Sequence, residues 1–308
     1  MRYRTLLAAS LIAAAGSAGA GTGEELAYTP ATLAQHVHAT RDEPGRRGRT
    51  PGTGTTSNSS AAMTFHGGNV MPHASVRVLL AGPGWRNASF AADKITGLDS
   101  FYAGYSGSSY AATADQYVGA NGAVGSSLHY QGHDAPTPTS VDGTNLSALA
   151  KAVCAEYASG SFQPDTAGTQ VVAVYSDMKR PASVKYCAYH SVMSCSRQTV
   201  EVAFFWNLDG DGGCSAQDYQ TGHSPGLAAL ANVSAHEIHE VRTDPMMNAW
   251  FDSQQNEVGD KCAWTFASPY VTLKNGSRWK LQAEWSNAAY SLSRGVANQL
   301  GQQACVDH

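Results

Sequence analysis

Leu227-Ala228-Ala229-Leu230-Ala231-Asn232-Val233-Ser234-Ala235-His236-Glu237-Ile238-His239-Glu240-Val241 reads as the clearest helix in the chain. Its first turns are small and apolar, so the helix is expected to be buried. Its polar end carries chemistry. Residues four apart on a helix share one face, so His236 and Glu240 present an imidazole and a carboxylate to one ion. Glu237 lies beside them, where a general base for a metal-bound water belongs. This is the logic of His-Glu-x-x-His with glutamate in place of the second histidine. His239 falls one residue short of that register. It can reach the same face at i+3 from His236, and no role is assigned to it.

An acidic stretch follows, Asn256-Glu257-Val258-Gly259-Asp260-Lys261-Cys262. Asp260 lies 20 residues after Glu240, and Glu257 lies 17 after it. Either completes a three-ligand zinc site that keeps a fourth position for water. The other then holds an imidazole from behind. Zn2+ is the expected ion. Ca2+ is the second choice, because hard oxygen ligands suit it. The five-residue pattern alone is weak, since histidine and acids are common on exposed helix faces. A buried carboxylate, however, needs a partner or a metal. The apolar body of this helix and the second acidic stretch therefore favour an ion.

Outward from the helix, strand and helix signals alternate. Ser75 to Ala81 reads as a buried strand, ended by Gly82-Pro83-Gly84. Asn87 to Tyr102 fits a helix, and Tyr117 to Tyr130 a strand or hairpin. Leu146 to Tyr157 reads as an amphipathic helix. Gln170 to Tyr175 and Val200 to Trp206 read as strands. The alternation predicts an α/β or α+β fold: a single layered domain over 63–308, zincin-like, with a mixed sheet and a buried motif helix.

The chain has 308 residues, with Lys+Arg 20 and Asp+Glu 24, for a formal net charge of −4. That mildly acidic balance leaves no electrostatic footprint for nucleic acid. A hydrophobic content of 43% excludes a mainly disordered chain. Charged residues make up only 14%, against about 25% in an average soluble chain. The surface is then built from Ser, Thr, Asn, Gln, Gly and Tyr, a secreted style.

The N-terminus agrees with that style. Arg2 and Arg4, the apolar run from Leu6 to Ala15, and Ala18-Gly19-Ala20 make a secretory signal over 1–20. The apolar run is too short for a bilayer, which takes about 20 residues. No later segment reads as a membrane span. Residues 21–62 are rich in Pro, Gly, Thr, Ser and Arg and read as a disordered leader or a propeptide. Arg46-Arg47 is the candidate processing site in the second case. Six cysteines, 154, 187, 195, 214, 262 and 305, fit an oxidising compartment. Fifteen pairings are open, and Cys187 with Cys195 is the first expectation because they are close in sequence. The absence of a Cys-x-x-Cys pair argues against a cysteine-rich zinc site. A secreted, extracellular monomer is expected.

Taken together, these stretches resemble the EXORDIUM/phosphate-induced protein family and its bacterial relatives, over roughly Phe65 to Cys305. The match runs through His66-Gly67-Gly68-Asn69-Val70-Met71, Gly82-Pro83-Gly84-Trp85 and Tyr186-Cys187-Ala188-Tyr189-His190. It is strongest from His236 to Pro245, through Asn248-Ala249-Trp250, to Glu257-Val258-Gly259-Asp260-Lys261-Cys262. His239 departs from that family pattern, which carries a small residue there. The resemblance implies an extracellular protein linked to growth and supports the place of the site. It does not by itself imply peptidase activity.

Three further features have bland readings. Asn207-Leu208-Asp209-Gly210-Asp211-Gly212 mimics the start of a calcium loop, but the apolar strand before it favours a glycine-rich turn. His190, beside a cysteine, reads as structural, although it can reach the site from another strand. Trp250, Trp264, Trp279 and Trp285 read as core rather than as a ligand groove. The expected function is a secreted metal-dependent hydrolase, a zinc peptidase with Glu237 as its base. Its substrate would be a peptide or a cell-wall-associated molecule. The alternative is a non-catalytic binding or signalling protein on the same scaffold.

Overall fold

The computed structural model describes residues 36–42, 62–159, 169–195 and 198–308. Its centre is a six-stranded mixed sheet. The strands are β1 (His36–Ala39), β2 (Ala74–Ala81), β3 (Leu128–His133), β4 (Thr169–Lys179), β5 (Tyr186–Cys195) and β6 (Gln198–Asn207), in the order β1-β5-β6-β4-β2-β3. The run β6-β4-β2-β3 is parallel, while β5 pairs antiparallel with both β6 and β1. The fold is therefore mixed α/β. Val171 to Tyr175 and Val200 to Trp206 are apolar almost without alternation and wholly buried, as central parallel strands covered on both faces must be. Burial of Phe204 and Phe205 contributes about 1.5–3 kcal/mol each.

Three longer helices accompany the sheet: α1 (Lys94–Tyr105), α2 (Leu146–Ser159) and α3 (Pro225–Thr243). The helix expected from Asn87 starts later. The Asn87 side chain accepts from the backbone N–H of Ser89 and caps a single turn, which Ala92 ends at a φ of 44° before α1 begins. α3 is buried on every side. It packs on β5 and β6, on α1, and on the short strand Arg278–Trp279. Ser224 caps it by accepting from Leu227 N–H, and Asp93 fixes Ser224 in turn. A cap of this kind contributes roughly 1 kcal/mol.

Two expectations are corrected here. The folded part does not begin near Met63: His36 to Ala39, inside the segment read as a disordered leader or propeptide, forms the edge strand β1, with His36 opposite His190 and Val37 opposite Tyr189. A strand edge offers unpaired backbone groups that a short segment can satisfy, whatever the composition of its flanks. The signal over 1–20 and most of the leader lie outside the described residues. The Cys187–Cys195 pairing is also overturned. Both sit on β5, where eight residues of extended chain separate them by roughly 26 Å. The bonds are Cys154–Cys195, Cys187–Cys214 and Cys262–Cys305. They span 41, 27 and 43 residues. Closing loops of these lengths removes about 3.5–4 kcal/mol of unfolded-chain entropy apiece in the chain-entropy account. Three disulfides fit an oxidising compartment. Among the described residues no helix is long and apolar enough to cross a membrane.

A second, smaller core gathers Met63, Val70, Tyr117, Val258, Cys262, Trp285 and Cys305. The last turns of α3 meet this core through the segment Glu257–Cys262, and Cys262–Cys305 anchors that segment. The glycine-rich turn after β6 is a turn, as expected. Asp209 is ion-paired with Lys94, and Asp211 accepts two hydrogen bonds from the Arg180 guanidinium. Trp279 and Trp285 are wholly buried core residues.

Candidate metal centre

α3 delivers His236, Glu237 and Glu240 with no solvent exposure. Its end is set by Asp244. The backbone N–H of Asp244 closes on the Glu240 carbonyl, and its Oδ1 accepts from Asn248 and Ala249 N–H at 2.6 and 2.7 Å. This turn sends the chain back toward α3. A single turn of 3-10 helix, Asp260–Cys262, then sets Asp260 beside Glu240, whose Oε1 accepts from Asp260 N–H at 2.9 Å. Gly259 is held close as well, since a β-carbon there would lie 2.7 Å from His236 Nδ1.

The structure brings all five predicted residues together. His236 Nε2 is 3.1 Å from Glu240 Oε1 and 3.9 Å from Asp260 Oδ1. Ligand atoms of His236, Glu240 and Asp260 all fall within 4.8 Å of one another. Glu257 belongs to a neighbouring group with Glu240, His36 and His190, and Glu237 to a third with His38 and His236. So Glu257 and Asp260 do not compete for one position.

His190, read as structural but able to reach the site from another strand, does reach it: its Nε2 lies 2.8 Å from Glu257 Oε2 and 3.6 Å from Glu240 Oε2. Sequence reasoning also missed His36 and His38. They alternate along β1 and so share one face of it. His36 Nδ1 lies 3.4 Å from Glu257 Oε2, and the His38 ring covers that of His236. The His-x-His spacing was a usable signal, hidden by the leader's composition. His239 turns away. Its Nδ1 meets the Tyr105 hydroxyl at 2.8 Å and its Nε2 the Thr113 hydroxyl at 2.9 Å.

The electrostatics of this cluster are costly. Burial, and then the carboxylates of Glu240 and Asp260, push the Glu237 carboxyl well above its ordinary range. Burial, followed by Glu240, Asp244 and Asp260, does the same to Glu257. Burial pulls His190 down to about 3. For His236 burial is again the largest influence and lowers it, but Glu240 and Asp260 together outweigh it and leave it raised. The basic residues next in sequence are engaged elsewhere. Arg242 donates to the Tyr105 hydroxyl and the carbonyls of Ala111 and Gly125, and Lys261 to Asp252.

Several buried ligand atoms make no well-formed hydrogen bond: His36 Nδ1, His236 Nε2, Glu240 Oε2, Glu257 Oε1 and both oxygens of Glu237. Leaving one such group unsatisfied costs about 1–3 kcal/mol, and more when it is charged. Buried imidazole nitrogens and carboxylates converging within 4.8 Å of one another are the donor set of a first-row divalent cation, so the residues fit a metal. With all six cysteines in disulfides, thiolate ligation is excluded. In comparisons with known proteins, the chain matches no family model, no curated protein and no solved structure.

Proposed function

We propose that the chain is a secreted metal-dependent hydrolase, a zinc peptidase of divergent His-Glu-x-x-Glu type on a zincin-like scaffold. One observation carries the reading. His236, Glu240 and Asp260 present mutually close, buried ligand atoms, and Glu237 stands beside His236 with both carboxylate oxygens unpartnered. A bound ion would supply Lewis acidity and lower the pKa of a water. The chain's own residues do the rest. Glu237 takes the proton from the attacking water. Asp260 is fixed by its N–H bond to Glu240, so the two carboxylates keep their spacing. Glu240 adds negative charge where a second histidine would be neutral, and modest turnover follows from that. The resemblance to the EXORDIUM/phosphate-induced family supports secretion and the place of the site.

A second reading has its own observation. The Gln282 side-chain nitrogen donates to the Gly259 carbonyl at 3.0 Å and faces His236 Nδ1 at 2.9 Å. That arrangement leaves the His236 proton on Nε2, pointing at Glu240, as in a metal-free network holding a non-catalytic binding protein together. Elemental analysis of the secreted protein, with turnover on a peptide library, separates the two. The hydrolase reading expects stoichiometric zinc in wild type and in Glu237→Gln, with turnover reduced roughly 100-fold or more in the variant. No bound metal, or equal turnover in the two proteins, sinks it.

A further inference from the structure

Two carboxylates in the cluster each divide their oxygens between two sides. Glu240 turns Oε1 to His236 Nε2 at 3.1 Å and Oε2 to His190 Nε2 at 3.6 Å. Asp260 turns Oδ1 to His236 Nε2 at 3.9 Å and Oδ2 to His36 Nδ1 at 3.7 Å. On the far side from His236, Glu257 Oε2 lies 2.8 Å from His190 Nε2 and 3.4 Å from His36 Nδ1. This side is thus a complete donor set by itself: His36, His190, Glu240 and Glu257, all buried, with ligand atoms within 4.8 Å of one another. Its unpartnered atoms, His36 Nδ1, Glu240 Oε2 and Glu257 Oε1, are independent of the one on the other side, His236 Nε2.

Charge points the same way. Glu237, Glu240, Asp244, Glu257 and Asp260 are five buried carboxylates, and a buried charge without a partner is strongly unfavourable. A single divalent cation offsets two of them. Two offset four and leave the histidines neutral, the form in which they ligate.

We propose that the chain binds two divalent first-row cations in adjacent positions that share Glu240, the first held by His236 with Asp260 and the second by His36, His190 and Glu257. The inference rests on the metal reading above. It adds that the N-terminal strand β1 is part of the centre, because His36 is a ligand of the second position. Mixed imidazole and carboxylate donors suit Zn2+, Mn2+ or Co2+ better than Ca2+.

The test uses the full secreted chain, stripped with a chelator and reloaded with Mn2+. Two ions per chain are expected, with an electron paramagnetic resonance signal broadened by exchange between carboxylate-bridged neighbours. Glu257→Gln, close to isosteric, and His190→Ala should each bring the count to one and restore an isolated six-line signal. His236→Ala should also leave one. Melting temperature and intact disulfides check that each variant is folded, and the wild-type count stands without any variant. One ion in wild type, unchanged in Glu257→Gln, overturns the second position and leaves the single-ion hydrolase standing. No ion overturns both. Two ions without turnover support the paired centre and remove the hydrolase.

Discussion

The imidazole of His38 stacks on that of His236, with ring centroids 3.9 Å apart and planes inclined by 24°. Trp264 backs His38 at 4.7 Å, and its indole N–H donates to the Ala39 carbonyl. Strand β1 therefore lies against the face of α3 that carries His236. Arg46-Arg47 follows β1 in sequence, so a cut at that pair separates the strand from the rest of the chain.

A specific protease site placed at residues 46–49, cut after folding, tests whether that strand covers the site. Peptide turnover should be low in the intact chain, though still well above that of Glu237→Gln. It should rise at least tenfold once β1 has been cut and removed by gel filtration. Because His36 departs with the strand, metal content should fall in the same sample. Equal turnover before and after release would show that β1 does not gate the site.

How much of this was legible varies by element. α3 was readable because its small apolar turns and its motif lie within one local period, and the helix is buried as those turns predict. Glu257 and Asp260 were readable as a pair. Their division between two groups was not, because it depends on Gly259 letting the backbone approach His236 and on Asp260 N–H reaching Glu240. β1 was unreadable for a different reason. Its four residues are ordered by an edge that β5 provides, and no local propensity within a Pro- and Gly-rich leader reports that. The disulfides failed similarly: closeness in sequence is the wrong measure when both cysteines lie on one extended strand.

His239 gives a control for the helix register. It sits one residue before Glu240, yet it joins Tyr105 and Thr113 rather than the cluster. Burial, and then the nearby Arg242, hold its imidazole well below the usual range, so it is neutral. His239→Leu should leave metal content unchanged. It should destabilise the fold by about 1–3 kcal/mol, because the buried Tyr105 and Thr113 hydroxyls each lose one of their hydrogen-bond partners. Denaturant unfolding and elemental analysis on the same sample check both halves. Lost metal with unchanged stability would mean that His239, not His236, faces the ion.

Acid should loosen the segment that carries Glu257 and Asp260. Burial is the largest single influence on Asp252 and raises its pKa. Lys261 and Asn256 outweigh it, and the carboxyl ends below its ordinary value. A depressed folded pKa means that the unfolded chain binds the proton more readily. The stability from this pair is then fully present above the unfolded value, about pH 4. It is lost as pH falls through the folded one. Melting temperature followed from pH 5 to pH 2 should fall more steeply in wild type than in Asp252→Asn. Asp252→Asn should be the less stable protein at pH 7, and parallel curves would exclude this origin for the acid limb.

Gln282 decides between a metal and a metal-free network most sharply. For His236 Nε2 to ligate an ion, Nδ1 must carry the proton and donate it. Gln282 now offers Nδ1 an amide N–H, and that same amide also serves the Gly259 carbonyl. Loading a metal would require the amide to rotate and give up Gly259. Gln282→Glu removes this conflict on the histidine side by presenting only acceptors. If His236 is a ligand, the change should raise affinity for Zn2+ by roughly tenfold, the lower end of what outer-shell partners contribute. If the cluster is a metal-free network, the new carboxylate only adds charge to a site already crowded with it. Melting temperature then falls, and no zinc is gained. Calorimetric zinc titration of the two proteins, beside their melting curves without metal, distinguishes these outcomes, because one raises a binding constant and the other lowers a stability.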